Sequence, residues 1–186
     1  MSPYIELGKT MPRTFSTVRE LIYWEYAKLI SEKAVGDRQN YKFTNFTYQK
    51  LIHGKVNSSS ILSENQQLFL MGDVCAYCGA TGALHWEHIV PTSLGGPDNI
   101  DNMVRACPHC NLTKGARDPY QWYLGSKSAQ IPRVVLGKFL KVVFEKYATL
   151  GLLDSSEYMA TQAIERITLS SIFYPQEANG VEKKTA

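Results

Sequence analysis

The residues best equipped for chemistry lie between Cys75 and Gly115, CAYCGATGALHWEHIVPTSLGGPDNIDNMVRACPHCNLTKG. All four cysteines of the chain are there, with three of its four histidines. Cys75-Ala76-Tyr77-Cys78 and Cys107-Pro108-His109-Cys110 are two CxxC turns. Such a turn points two thiolates at one centre, and two turns complete a tetrahedron, the closed sulfur coordination of a structural zinc site. Two disulfides or four separate buried thiols are the competing readings, but no secretory segment is present and no cysteine falls outside the paired spacing. A four-thiolate site has no open position, so its zinc serves folding rather than catalysis, with roughly 10–16 kcal/mol in small zinc domains. His109, inside a knuckle, reads as exposed, with zinc ligation a lesser alternative. Between the turns lie His85, Glu87, His88, Asn102 and, just past the second turn, Asn111 and Lys114: an imidazole base, oxygen donors and a cation.

Short elements must position these groups. Leu84–Val90 alternates enough for a strand, which Pro91 ends, and Thr92–Asn102 with Gly95, Gly96 and Pro97 has the composition of an ordered loop. Met103–Ala106 reads as a second strand, and Pro108 opens a short helix ending near Gly115. Asn111 and Lys114, three apart, share a face of that helix. The unit is strand, loop, strand, helix, with zinc at its open end.

EHIVP, then Gly95-Gly96, Asn102, CxxCN and Lys114 resemble the HNH (ββα-metal) nuclease motif, including the spacings from the acid–His pair to the middle and last Asn. Similar spacings occur in the HNH domain of RNA-guided CRISPR nucleases, and the paired CxxC knuckles resemble a zinc-stapled branch found among bacterial restriction-type enzymes. The resemblance covers about a quarter of the chain. It implies a metal-dependent endonuclease that leaves 5′-phosphate and 3′-hydroxyl ends. Phosphodiester hydrolysis needs an activated water, charge neutralisation and a stabilised leaving oxygen. His88 can be the general base, because imidazole titrates near neutral pH. Glu87 and Asn111 offer oxygen ligands that suit catalytic Mg²⁺ or Mn²⁺. By resemblance, Asn102 braces the loop presenting His88, and Lys114 contacts phosphate or the transition state.

The family more often has Asp where Glu87 stands, and the extra methylene moves the carboxylate outward. His85, two residues earlier on the same strand face, is a further candidate metal ligand; a strand histidine bonded to backbone reads equally well. Trp86, pointing the other way, is expected in the core. Arg105 fits either a phosphate contact or a surface salt bridge. Two other functional classes use the same letters. A zinc nucleobase deaminase carries H-x-E and P-C-x-x-C, imitated by His85-Trp86-Glu87 and Cys107–Cys110, but Ala106 replaces the Pro, and Cys75 and Cys78 are left over. A catalytically inactive zinc-dependent DNA-binding module would keep the clamp without the chemistry.

With 186 residues, 44% of them hydrophobic, the chain can bury a real core. Net charge is only +3, yet from Asp101 to Lys146 eight Lys or Arg stand against three Asp or Glu. This places a basic surface beside and after the motif, where a nucleic-acid backbone would bind. Arg105, Arg117, Lys138 and Lys141 are the candidate DNA contacts, with solvated cations as the ordinary alternative. Met1–Ser16 has no apolar run, and no stretch approaches membrane-span length. Cysteines reserved for metal suit the cytoplasm.

Thr17 with Glu20 forms a capping box for a helix to about Ala34, with Tyr23, Tyr26, Ala27, Ile30 and Ala34 as its stripe and Gly36 as its stop. Asp37–Lys55 reads as a loop with a short strand or helix, and His53 could join a DNA contact. Residues 57–60 are a polar linker, and Ser63 with Gln66 starts a short helix. Asp118-Pro119 starts another, which Gly125-Ser126 breaks. A longer helix runs from Pro132 to about Leu150, with Leu136, Phe139, Leu140, Val143, Tyr147 and Leu150 buried and Lys138 and Lys141 on its outer face. Asp154 or Ser155 caps a last helix to about Ser170. The expected fold is α+β: a zinc-stapled ββα-metal core at 71–117, a mainly helical flank at 1–70, a helical flank at 118–175 and a frayed tail at 176–186, packed as one unit. The expected partner is double-stranded DNA, and a homodimer would allow both strands to be cut.

Overall fold

The computed structural model describes residues 14–56, 72–123 and 130–161. The polar linker at 57–60, the helix start at Ser63, the break at Gly125-Ser126 and the tail lie outside them. The architecture is α+β, with one two-stranded antiparallel sheet among helices in the described residues.

The first helix, α1, spans Val18–Val35. The Thr17 hydroxyl accepts from Glu20 N at 3.2 Å, while the Glu20 carboxylate accepts from Ser16 N at 2.7 Å, one residue earlier than a standard capping box would place it. Gly36 closes the helix at φ 72°, a left-handed position that favours glycine. Burial wraps much of α1, from Val18 and Leu21 through Trp24 and Leu29 to Ser31, because neighbouring helices pack on two of its sides.

Tyr41–Ile52 is a full helix, α2, where the sequence suggested a loop with a short element. Its composition of Phe, Tyr and Thr reads as strand. The buried set Thr44, Thr47, Tyr48 and Leu51 nevertheless follows the helical period, with threonines filling half of the stripe. The Asn40 side chain caps it by accepting from Phe43 N at 3.0 Å. His53 is its exposed C-cap.

Strand β1 (His85–His88) pairs with β2 (Met103–Ala106), setting His85 opposite Ala106, Trp86 opposite Arg105, Glu87 opposite Val104 and His88 opposite Met103. The intervening loop holds two 3-10 turns, Thr92–Leu94 and Ile100–Asn102. Helix α3 (Pro108–Lys114) follows, then α4 (Pro119–Trp122), started by Asp118, whose carboxylate accepts from Tyr120 N at 2.7 Å and Gln121 N at 3.1 Å. The long helix α5 (Arg133–Thr149) packs on α1 and on the Ile100–Asn102 turn. Its buried stripe includes Leu136, Phe139, Leu140, Val143 and Tyr147, but Leu150 is exposed at the helix end. Helix α6 (Ser156–Thr161) is capped by Ser155, whose hydroxyl accepts from Tyr158 N at 3.0 Å; Asp154 instead pairs with Arg19 at 2.6 Å. Among the described residues, no helix is long and apolar enough to cross a membrane.

Two expectations about α5 are corrected. Lys138 and Lys141 face inward, at 1% and 8% exposure. Lys138 donates to the carbonyls of Ile100 and of Met103, the latter at 2.8 Å, and Lys141 pairs with Asp101 at 2.6 Å. The loop's carbonyls and the Asp101 carboxylate recruit cations that would otherwise point to solvent. As placed, neither lysine is free to contact DNA.

Candidate active site

The thiols of Cys75, Cys78, Cys107 and Cys110 all lie within 4.8 Å of one another. Cys78 Sγ and Cys107 Sγ are 3.8 Å apart, far beyond a disulfide bond. A tetrahedron with zinc–sulfur bonds near 2.3 Å has edges of roughly 3.8 Å. The donor set and spacing therefore fit structural zinc. Local chain geometry makes the cluster: Gly79 N donates to Cys75 O at 2.8 Å, and the Cys107 thiol caps α3 by accepting from Cys110 N at 3.5 Å. Ala76 N donates to Arg105 O at 2.8 Å, docking the first knuckle on β2. Burial pushes the Cys75 thiol up, but amides of Cys107, Cys78 and Tyr77 outweigh it and bring it to about 7. Burial and its thiol neighbours push Cys110 the other way. No histidine belongs to the cluster, so a His85–Cys107–Cys110 deaminase site is not what this geometry builds.

Strand alternation divides the hairpin into two faces. Glu87, Val104 and Ala106 point inward and are buried. The Glu87 carboxylate accepts from Tyr77 Oη at 2.5 Å and from Lys114 Nζ at 2.6 Å. Lys114, with no exposed surface, also donates to His88 O at 2.9 Å. The expected phosphate-contacting lysine is thus an internal counterion, reaching from α3 across to β1. Burial, then the nearby Glu87 charge, raises the Tyr77 phenol well above its ordinary value, so it remains a donor. Asn111 stands one turn before Lys114 on the same helix face, half-buried, and its side chain makes no hydrogen bond among the described residues.

His88 is half-exposed on the other face, and its Nε2 lies 2.9 Å from Oδ1 of the exposed Asp98. Its backbone is held from both sides. Lys114 takes its carbonyl, and Ile89 N donates to Asn102 O at 2.8 Å. The Asn102 side chain, fully buried, accepts from Val90 N at 2.9 Å and donates to Val90 O at 2.8 Å and Pro97 O at 2.9 Å. Gly96 allows this closure: a Cβ there would sit 2.0 Å from Val90 O and 2.9 Å from Asn102 Nδ2. One asparagine and one glycine therefore clasp the loop behind His88.

Residues 75–117 match the model of the HNH endonuclease family. This segment is an HNH domain. No curated protein and no solved structure matches the chain. HNH domains are in general nucleases that act on DNA, and the ββα order with a four-cysteine clamp is the zinc-stapled form of that fold.

Within the HNH domain, His88 and Asp98 come together, as do Glu87 and Lys114, whereas His85 is exposed at the start of β1. Trp86 is not core: it is 53% exposed on the outer face, with the Arg105 guanidinium 5.3 Å from its ring centroid. A strand of four residues has one buried face, and the carboxylate–lysine pair takes it. Arg105 makes no salt bridge among the described residues, and its Nε is buried without a hydrogen-bond partner. Arg117 is exposed and hydrogen-bonds the carbonyls of Thr113 and Lys114 at the end of α3. His109 is exposed. Asp98 and Tyr77 were missed by sequence reasoning. Asp98 sits in a Gly-Pro-Asp-Asn run that reads as turn chemistry, and Tyr77 lies inside a knuckle, where only the cysteines drew notice.

Proposed function

We propose that the chain is a metal-dependent endonuclease that hydrolyses DNA phosphodiesters, with His88 as general base. The observation that carries this reading is the His88–Asp98 pair: a half-exposed imidazole on a backbone pinned from both sides, 2.9 Å from a carboxylate. A carboxylate on one ring nitrogen orients the imidazole and favours the imidazolium formed when the other nitrogen takes a proton from water. With Nε2–H held by Asp98, Nδ1 carries the lone pair toward that water.

The oxygen donors fit a hard cation in kind. Asn111 would hold a Mg²⁺ or Mn²⁺ ion, and Glu87 would join through the lone pairs that its two hydrogen bonds leave free, with exposed His85 as a further ligand. Such an ion, when bound, polarises the scissile phosphate and stabilises the leaving oxygen. Lys114 acts here by fixing the Glu87 carboxylate and the His88 carbonyl. Structural zinc on Cys75, Cys78, Cys107 and Cys110 ties β2 and α3 to the first knuckle. Half-buried Arg105 and exposed Arg117 are the candidate cations left to meet the DNA backbone. A restriction-type role on double-stranded DNA, with a homodimer cutting both strands, completes the reading.

One observation favours a second reading, a zinc-dependent DNA-binding module that does not cut. Glu87 already has its charge neutralised by Lys114 at 2.6 Å. Conversion of supercoiled plasmid with Mg²⁺ or Mn²⁺ separates the two. The wild type is expected to nick or linearise it, EDTA to stop it, and His88→Ala to lose about 100-fold or more, in line with general-base contributions. Asp98→Asn should fall between them. Absence of cleavage on several DNAs by a protein that carries one zinc per chain and still retains DNA would favour the binding module instead.

A further inference from the structure

The outer face of the HNH hairpin carries four side chains in two facing pairs: Trp86 with Arg105, and His88 with Met103. Two of them, Trp86 and Arg105, touch each other but make no side-chain hydrogen bond or ion pair among the described residues. Trp86 is a large ring left 53% exposed, on a strand whose other face supplies the buried contacts. Arg105 lies over that ring at 5.3 Å, has no acidic partner among the described residues, and keeps a buried Nε without an acceptor. A flat aromatic surface beside an unneutralised guanidinium matches one kind of ligand, a π-faced group that carries a negative charge. Trp86 and His88 are two residues apart on one strand face, roughly 7 Å along the chain.

The geometry points to Trp86 and Arg105 as a nucleotide platform: an unpaired base stacks on Trp86 while Arg105 holds its phosphate, next to the strand position of His88. This rests on the nuclease reading for the assignment of His88, but the platform itself does not. The occupant is an unpaired base because bases inside a duplex are already stacked on their neighbours and cannot also lie flat on a protein ring. A single strand, or a duplex opened at the cutting site, offers that surface. Stacking of this kind tolerates any base, since every base has a π-face.

The test measures binding of fluorescent single-stranded oligonucleotides to the full-length zinc-loaded protein without added Mg²⁺ or Mn²⁺. An intact strand is compared with one bearing an abasic stretch and with a duplex. Trp86→Ala is expected to weaken binding of the intact strand by about 5- to 100-fold, and Trp86→Phe to stay within about twofold, since it keeps an aromatic face. The wild type should bind the abasic strand as weakly as Trp86→Ala binds the intact one. Duplex affinity should change little. Arg105→Gln should reduce the slope of log affinity against log salt by about 0.7. Equal losses on intact and abasic strands, or no loss in Trp86→Ala, would overturn the platform.

If Trp86→Ala fails to retain its zinc, tryptophan emission decides. Emission should be quenched by the intact strand and not by the abasic one, and that difference should vanish in Trp86→Phe; its absence from the wild type refutes the stacking. The plasmid assay remains separate. Base-dependent binding without cleavage sinks the nuclease reading alone, and cleavage without base-dependent binding sinks the platform alone.

Discussion

Glu87 shows how one added methylene can be absorbed by its surroundings. Its carboxylate reaches inward to Tyr77 and Lys114, and the resulting pair is almost completely removed from water. A buried pair contributes little net stability against an apolar replacement, yet removing one partner strands the other's charge. Lys114→Met is therefore expected to cost about 3–5 kcal/mol in urea denaturation, and the Glu87→Met/Lys114→Met double variant distinctly less than the sum of the single changes. Additive losses would show that the two groups do not act as a pair. Gly96 is a sterically stricter case. Adding a methyl group drives it into Val90 O at 2.0 Å, a backbone atom that cannot swing aside. Gly96→Ala should lose about 3 kcal/mol, with Asn102 displaced from Val90 and cleavage reduced further than stability alone explains. These two residues also mark what the sequence discloses at this scale. The spacing singled out Asn102 and Lys114 as important, but not that Lys114 points into the protein. That depends on which face of α3 meets the hairpin, a tertiary fact.

At the scale of elements, signals with a local cause were legible. Capping at Thr17, the Asp118-Pro119 start, the glycine stops and both hairpin strands are set by residues within a turn of where they act. Signals decided at a distance were not. Threonines in the stripe of α2 hid its period, and the lysines of α5 looked solvent-facing because the acceptors that bury them lie some 35 residues away in sequence. That contact has a pH signature. Burial first, then the nearby Lys141, brings Lys138 down to about 8, with Asp101 opposing. Between that value and the ordinary lysine range the unfolded chain binds more protons than the folded one, so this residue makes stability rise with pH across the window. Below pH 8 the cost of burying the charge is fully present. Lys138→Met should flatten the rise by an order of 1–3 kcal/mol, read as the difference in urea stability between pH 7.5 and 10 for variant and wild type.

For the molecule as a whole, the zinc clamp and the helical core support each other. Tyr77 belongs to the first knuckle, yet its ring packs edge-on against Trp122 of α4 at 5.0 Å and its hydroxyl reaches Glu87. Stripping zinc with a chelator should therefore loosen more than the knuckles. The expected outcome is loss of plasmid cleavage, a lower melting temperature, and recovery of both on returning zinc but not Mg²⁺ alone. Cys75→Ser and Cys110→Ser should mimic the stripped protein. Unchanged melting after verified zinc removal would refute a structural role for the metal.

The grip of α5 on the loop has a bearing on portability. An HNH domain is easily imagined as a cassette to be cut out and attached elsewhere. In this chain, the carbonyls of Ile100 and Met103 and the carboxylate of Asp101 are answered by lysines that lie beyond residue 130. An excised 72–118 peptide keeps all four thiols and should still take up zinc. Its loop would lose its outer hand-holds, and amide exchange from Ile89 to Met103 should run fast even with the metal in place. A graft of this ββα fold onto another protein would need α5 to travel with it.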